Sequence, residues 1–375
     1  MMASSLFALF EQTEISARLK QVAEKISAGE RISIDDGELL FREGSLPFLS
    51  VLADHVRRRI NGNQVFFNRN IHLEPTNICV NHCAFCSYRR RKGEEGCWEL
   101  SIGELVEMAE SHRLSGITEI HIVGGVHPDR DVHFYVELLR EIQRILPSVQ
   151  IKAFTAVEID AMCRFASMDI KEGLSLLKGA GLVSLPGGGA EIFDETLRTK
   201  ICPDKTDSKG WLNIHRIAHQ LGIPTNSTML YGLLEDYAQR IDHLDRLRAL
   251  QDETGGFNAF IPLKFKHYNN RFSHVEECTT IEDLKNYAVS RIFLDNIPHI
   301  KAYWPMIGKK VAQISLAFGV DDLDGTIDDT TKIYSMAGSE EQSPVATTGQ
   351  LEQMILGAGF VPVERDTLYN VIRSA

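Results

Sequence analysis

No stretch of this 375-residue chain approaches the roughly 18–20 consecutive apolar residues that cross a bilayer, so no membrane-spanning helix and no membrane partner are expected. A basic excess is also missing. Lys and Arg number 40 against 51 Asp and Glu, a formal net charge of −11, which argues against a nucleic-acid binder built on a basic face. Cysteine is sparse at 7 residues and lacks the spacing of a disulfide framework, which points to a reducing compartment and hence the cytoplasm. Residues 1–7 soon run into Glu11 and Glu14, so no secretory signal is expected. No motif recurs at a fixed period, which argues against a repeat array. With 43% hydrophobic and 24% charged residues, the make-up is that of an ordinary globular protein, either two average domains or one large α/β barrel with additions.

Against that background three cysteines stand out. Cys79, Cys83 and Cys86 follow a C-x3-C-x2-C spacing, with the aromatic Phe85 just before the last. Three thiolates can hold three irons of a cubane [4Fe–4S] cluster, which leaves the fourth iron without a protein ligand and open for chemistry. A cluster that only transfers electrons would normally want a fourth cysteine. A zinc site is the competing reading and would need a second donor pair. Only His82 and Cys97 lie near, and Cys97 follows the polar run 89–96, which reads as a loop. Cys163, Cys202 and Cys278 are scattered and read as ordinary core or surface residues, as does Cys97. The basic run 89–92 is diluted at once by Glu94 and Glu95 and reads as a solvated loop, or as a guide for an acidic electron donor.

Residues 1–65 read as helices, with Ile15, Leu19, Val22 and Ile26 at helical spacing and a helix start at Ser33. From there short apolar runs alternate with amphipathic stretches. Strands are expected at 70–74, 119–123, 150–154, 181–185, 224–229, 258–263, 300–304 and 312–316. Helices are expected at 102–115, 134–146, 170–180, 208–221, 237–254 and 281–296. This alternation predicts an α/β fold: a (β/α)8 barrel of the TIM type over residues 66–320, N-terminal helices over 1–65, and an extension over 321–375 packed on the barrel. Within the extension, 335–350 reads as an irregular excursion before a helix at 349–358 and a short strand at 361–364.

In such a barrel the site is built from the C-terminal ends of the strands. The polar residues fall there. His72, Glu74 and Asn77 lead into the cysteine loop, and Gly124, Gly125 and His127 follow the second strand. Thr155 and Glu158 follow the third, residues 186–191 the fourth, Asn226 and Thr228 lie on the fifth, and Lys264 and His267 end the sixth.

The cysteine spacing resembles the signature of the radical SAM enzymes. Segments 72–79, 152–159, 186–193, 225–232 and 251–257 resemble the futalosine-pathway branch, most of all the aminodeoxyfutalosine synthase family of menaquinone biosynthesis. The matching runs span residues 70–330. This resemblance implies a radical SAM barrel whose [4Fe–4S] cluster is held by Cys79, Cys83 and Cys86, with S-adenosylmethionine (SAM) chelated at the open iron and consumed as a co-substrate. It implies that Phe85 covers the cluster near the adenine and that Gly124 and Gly125 let backbone approach the methionine moiety. Glu191 and Arg198 have the types for SAM's ribose or amino group and its carboxylate, or else form a surface helix ion pair. The implied reaction adds the 5′-deoxyadenosyl radical to the CH2= carbon of 3-[(1-carboxyvinyl)oxy]benzoate. Aryl migration and loss of a carboxylate then give 6-amino-6-deoxyfutalosine. A low-potential flavodoxin or ferredoxin is the implied electron donor.

An aromatic substrate with two carboxylates needs cations or hydrogen-bond donors in the barrel mouth. His72, His127, Thr155, Asn226, Thr228 and Lys264 are the candidates, with Glu74 placed to orient His72. Glu158 is either a SAM ligand or a proton-handling group, and with His72 and Thr155 it completes the expected catalytic set beside the cysteines. Departures from the family exist: residues 262–270 follow it only in outline, with Lys264 and Tyr268 where smaller or different residues are expected, and Gly96-Cys97-Trp98 is idiosyncratic.

Two rivals remain. Dehypoxanthine futalosine cyclase, which abstracts hydrogen and closes a ring, is expected to carry a Ser-Pro-Pro-like run where residues 153–158 read Ala-Phe-Thr-Ala-Val-Glu, and a tryptophan near 261–263. The deazaflavin-forming branch shares the scaffold and sits further back. A non-catalytic metal-binding module would want a fourth ligand and no row of polar strand ends.

Overall fold

The computed structural model describes residues 15–327, 332–339 and 344–374. The expectation about the first residues, and parts of the excursion at 335–350, lie outside the described residues. Three helices open the described chain, Ala17–Ala28, Ile34–Glu43 and Leu46–Asn61. The Ser33 hydroxyl accepts the Asp36 N–H while the Asp36 carboxylate bonds back to Ser33, a capping box that fixes the second helix start. Leu19, Val22 and Ile26 are buried along one face, as their spacing predicts. The second and third helices pack on helices Tyr237–Thr254 and Thr280–Phe293 of the outer ring.

Strand β1 (Gln64–Phe67) falls at the end of the segment read as helical. The barrel strands follow: β2 (Asn70–Leu73), β3 (Glu119–Ile122), β4 (Gln150–Ala153), β5 (Leu182–Ser184), β6 (Thr225–Tyr231), β7 (Phe257–Lys264), β8 (His299–Ala302) and β9 (Asp322–Leu323). They pair in parallel as two blocks, β2 to β5 and β6 to β9. Two seams close the ring. At one, a single parallel bridge joins Leu185 to Thr225. At the other, the Asn70 N–H donates to Thr326 Oγ1 at 3.1 Å, and that hydroxyl donates to the Asn70 carbonyl at 3.0 Å. The result is the predicted (β/α)8 barrel.

One strand was misplaced by its pattern. Residues 312–316 belong to helix Lys309–Ser315 and the 3-10 turn Leu316–Phe318, and the eighth barrel strand is the two-residue β9. Ala312, Ser315 and Leu316 are the buried positions there, and their i, i+3, i+4 spacing serves a helix. Outside the ring, β1 lies between β9 and β10 (Val361–Arg365), and β11 (Val371–Ser374) runs antiparallel at the edge. The C-terminal strands thus dock beside the β9 seam. Among the described residues, no helix is long and apolar enough to cross a membrane.

The barrel interior is unusual in its chemistry. His72 on β2, His121 on β3 and Lys152 on β4 sit opposite one another in register, and Lys152 is paired with Ser184 on β5. Interior layers of such barrels are normally filled by Val, Ile and Leu. Here four adjacent strands contribute a polar layer, with His72, Lys152 and Ser184 almost wholly buried.

Candidate functional site

A cavity of about 330 Å3 lies at the C-terminal ends of the strands. Cys79, Cys83 and Cys86 line one wall, each half-buried. Their loop has little regular structure and is held by backbone bonds instead. The Cys79 N–H donates to Arg90 O at 3.1 Å, Val80 N–H to Val126 O at 3.0 Å, and Ala84 N–H to Ile201 O at 2.7 Å. Among the described residues, no three His, Cys, Asp or Glu side chains converge on one ion position. Three cavity-lining thiols are soft donors of the kind that hold iron–sulfur clusters. Burial pushes the Cys79 and Cys83 thiols up, so bound metal has to supply the positive charge that makes them thiolates. Cys97 does not line the cavity, and the exposed His82 ring lies 2.9 Å from Asp204.

Gly124 and Gly125 line the cavity beside these cysteines. At Gly125 a Cβ would stand 2.8 Å from the Ile78 carbonyl carbon and closer still to its oxygen. The glycine is therefore required by the cysteine loop that passes against it. Gly187 has the same reason, because a Cβ there would meet Ser227 Cα at 2.7 Å across the first seam.

Thr155 and Glu158 both line the cavity and form one unit. Thr155 caps helix Ala156–Phe165, and the Glu158 carboxylate accepts from Thr155 N–H and Oγ1 and from Gly124 N–H. Just before the cap, the fully buried Phe154 holds a φ of 61°, a conformation that costs on the order of 1–3 kcal/mol and clusters at functional sites. Burial raises the Glu158 carboxyl to about 7. Asn226 and Thr228 line the opposite wall, where Thr228 Oγ1 donates to Gly187 O at 2.6 Å. Phe85 lines the cysteine wall with the Lys205 ammonium 5.3 Å from its ring centroid. Lys205 is ion-paired with Glu191, a non-glycine residue at a φ of 48°.

Five expected residues have other surroundings. Arg198 is buried away from the cavity lining, and its guanidinium donates to the carbonyls of Gly189, Ala190, Ile192 and Thr206. It braces the glycine loop instead of reaching into the cavity. His127 is also outside the lining, with Nε2 2.8 Å from a Glu99 oxygen and Nδ1 accepting the Asp129 N–H at 3.1 Å. Lys264 lines the cavity, but its ammonium is engaged by Asp283 at 2.8 Å and Cys278 O at 2.6 Å. His72 lies beneath the lining against His121, ring centroids 4.6 Å apart, and burial lowers its imidazole to about 4. Glu74, expected to orient His72, accepts the backbone N–H groups of Lys332 and Ile333 and so ties helix Ile333–Met336 over the cavity.

The structure adds residues that sequence reasoning passed over: Lys205, His121, Lys152, Lys301 and Asp324 all line the cavity. A signal was available for two of them, since Lys152 and Lys301 are lysines inside short apolar strand runs, where a solvated side chain has no place.

Residues 73–247 match the Radical SAM superfamily and residues 254–375 match the CofH/MqnC C-terminal region. An aminodeoxyfutalosine synthase of Thermus thermophilus is 46% identical over 95% of this chain and 96% of its own. One from Streptomyces coelicolor is 42% identical over 94% of each chain. Among solved structures, the FeFe-hydrogenase maturase HydG from Carboxydothermus hydrogenoformans shares the fold at a TM-score of 0.74 and 19% identity, covering 98% of this chain and 85% of that one. A [4Fe–4S] cluster and SAM are the cofactors of this superfamily, and the three cysteines that would hold the cluster are in place. On these grounds the chain belongs to the radical SAM superfamily and, within it, to the aminodeoxyfutalosine synthase family.

Proposed function

We propose that this chain joins the 5′-deoxyadenosyl group of SAM to 3-[(1-carboxyvinyl)oxy]benzoate, with aryl migration and loss of a carboxylate, giving 6-amino-6-deoxyfutalosine and methionine for menaquinone biosynthesis. The observation that carries this reading is the 46% identity to a synthase over 95% of the chain. The cavity's division supports it: three thiols at one end and a polar floor at the other. When bound, the reduced cluster supplies the electron that cleaves SAM.

The chain's own residues bind, orient and exclude water. Cys79, Cys83 and Cys86 hold the cluster, and Phe85 with the Lys205–Glu191 pair borders SAM. Glu158 fixes the Gly124 backbone and the start of the helix at Ala156, which shapes the SAM edge of the cavity. Leu230, Ile261, Leu263 and Phe265 offer an apolar wall to the aromatic ring and keep water from the reacting carbons. A polar surface hollow reaches Cys83 and Cys86 from outside and carries Arg89, Arg90 and Arg271, which supports an acidic low-potential donor of flavodoxin or ferredoxin type. All 7 cysteines are free thiols, in keeping with a cytoplasmic setting.

The test is an anaerobic assay of the reconstituted, reduced protein with SAM and the enol ether, read by mass spectrometry. An adenosyl adduct lacking one CO2, absent with Cys83→Ala, is the expected result. Methionine and 5′-deoxyadenosine alone would keep the superfamily chemistry and overturn the substrate, making dehypoxanthine futalosine the next compound to try.

A further inference from the structure

Six cationic side chains line the cavity: Arg89, Lys152, Lys205, Lys264, Lys266 and Lys301. Four of them border the cavity's upper walls and have close partners. Arg89 Nε donates to Cys79 O at 3.3 Å, Lys205 pairs with Glu191, Lys264 with Asp283, and Lys266 with Glu277 at 2.7 Å. Lys152 and Lys301 stand elsewhere, on the inner layer of the barrel beneath the polar strand ends.

Their ammonium groups are only partly used. Lys152 Nζ donates to Glu119 at 2.5 Å, and Glu119 also accepts from Thr367 Oγ1 at 2.8 Å. Lys301 Nζ lies 3.3 Å from Asp324 and 4.0 Å from an Asp322 oxygen that already accepts two bonds from Arg365, at 2.6 and 3.2 Å. An ammonium has three donors, so both lysines keep donors beyond their bonds to the described residues. The same layer holds a Ser184 hydroxyl that is fully buried without a hydrogen-bond partner among the described residues, and a His121 ring that faces the cavity. Burying lysines in a barrel interior is costly unless they are paired and hydrogen-bonded; here each is paired with a carboxylate, while its hydrogen bonding among the described residues is incomplete. A ligand oxygen pair would complete it.

We infer that the ammonium groups of Lys152 and Lys301 form a carboxylate-binding subsite on the barrel floor, which takes the ring carboxylate of an aryl dicarboxylate. This rests on the reading of the substrate above. The carbon that receives the adenosyl group is bonded to the carbon bearing the enol carboxylate, so that end faces the cysteine wall. The ring carboxylate lies across the arene from it and is the group able to reach the floor. Lys152 comes from the first sheet block and Lys301 from the second, so the subsite spans the barrel.

The experiment measures binding by calorimetry to the reconstituted, oxidised enzyme with SAM present. Two unreactive probes are compared: 3-(carboxymethoxy)benzoate, with both carboxylates, and phenoxyacetate, which lacks the one on the ring. Wild type should prefer the dicarboxylate by about tenfold or more, the scale of a charge-assisted pair. Lys301→Met and Lys152→Met should each erase most of that preference while leaving phenoxyacetate binding within about twofold, and Lys301→Arg should restore part of it. Equal affinity of wild type for the two probes overturns the subsite without recourse to any variant. So does an equal loss on both probes in variants whose iron content and circular dichroism match wild type. Turnover of the enol ether without probe discrimination would retire the subsite and keep the function. Discrimination without turnover would do the reverse.

Discussion

The Glu158 carboxylate accepts hydrogen bonds from Thr155 N–H, Thr155 Oγ1 and Gly124 N–H at 2.7, 2.8 and 3.1 Å, and it is 5% exposed. Burial raises its carboxyl to about 7, against those bonds, and burial raises Glu74 to about 7 as well. A carboxyl whose native pKa lies above its unfolded value keeps an extra proton in the native state between the two. Its contribution is therefore full below the unfolded value of 4.5 and is lost as pH climbs through about 7. Each shift is worth at most about 3 kcal/mol. Histidines such as His72 and His219, each lowered by burial to about 4, pull the other way, so the readout is a difference. In urea unfolding of the cluster-free protein, wild type should lose stability relative to Glu158→Gln as pH goes from about 5 to 8. An unchanged slope in the variant would show that the three donors hold Glu158 ionised throughout. The Thr-x-x-Glu spacing at 155–158 is a readable cap signal. The Gly124 contact is not readable, since it joins residues 34 apart through the packing of neighbouring strand ends.

At the scale of elements, the cysteine loop and the loop after β3 fix each other. Gly125 N–H donates to Thr76 O at 2.7 Å, and its missing side chain leaves room for the Ile78 carbonyl. Gly125→Ala should displace that loop and cost on the order of 1–3 kcal/mol, the range of overpacking. The more direct readout is iron after reconstitution, which should fall well below the ~4 per chain of wild type; full iron content would mean that the loops part without harm. Most barrel strands were legible because their apolar runs are short and bounded, as at 119–123 and 258–263. β9 was not, because Asp322 and Leu323 carry no strand propensity and are ordered by neighbours on both sides, β1 and β8. The site was legible where chemistry marks a residue, as with Cys79, Cys83 and Cys86. It was obscure at Arg198 and Lys264, whose partners are backbone carbonyls and an aspartate brought near only by folding.

Over the whole molecule, closure of the ring depends on polar contacts at the β9 seam, where β2 and β9 share no ladder. Thr326→Val keeps the shape and removes one partner from both the N–H and the C=O of the fully buried Asn70. A loss of about 1–3 kcal/mol in chemical denaturation is expected. A loss below about 0.5 kcal/mol would show that the seam is carried by packing alone.

The two-block construction also bears on which matched region lines the cavity. The β2–β5 block holds the cysteines, the paired glycines, Thr155 and Glu158, whereas β6–β9 holds Asn226, Thr228, Lys264 and Lys301. The superfamily match ends at residue 247 and the branch-specific match begins at 254, just ahead of β7. The boundary between the two matches thus falls between β6 and β7, one strand past the Leu185–Thr225 seam, so both matched regions and both blocks furnish walls to a single chamber.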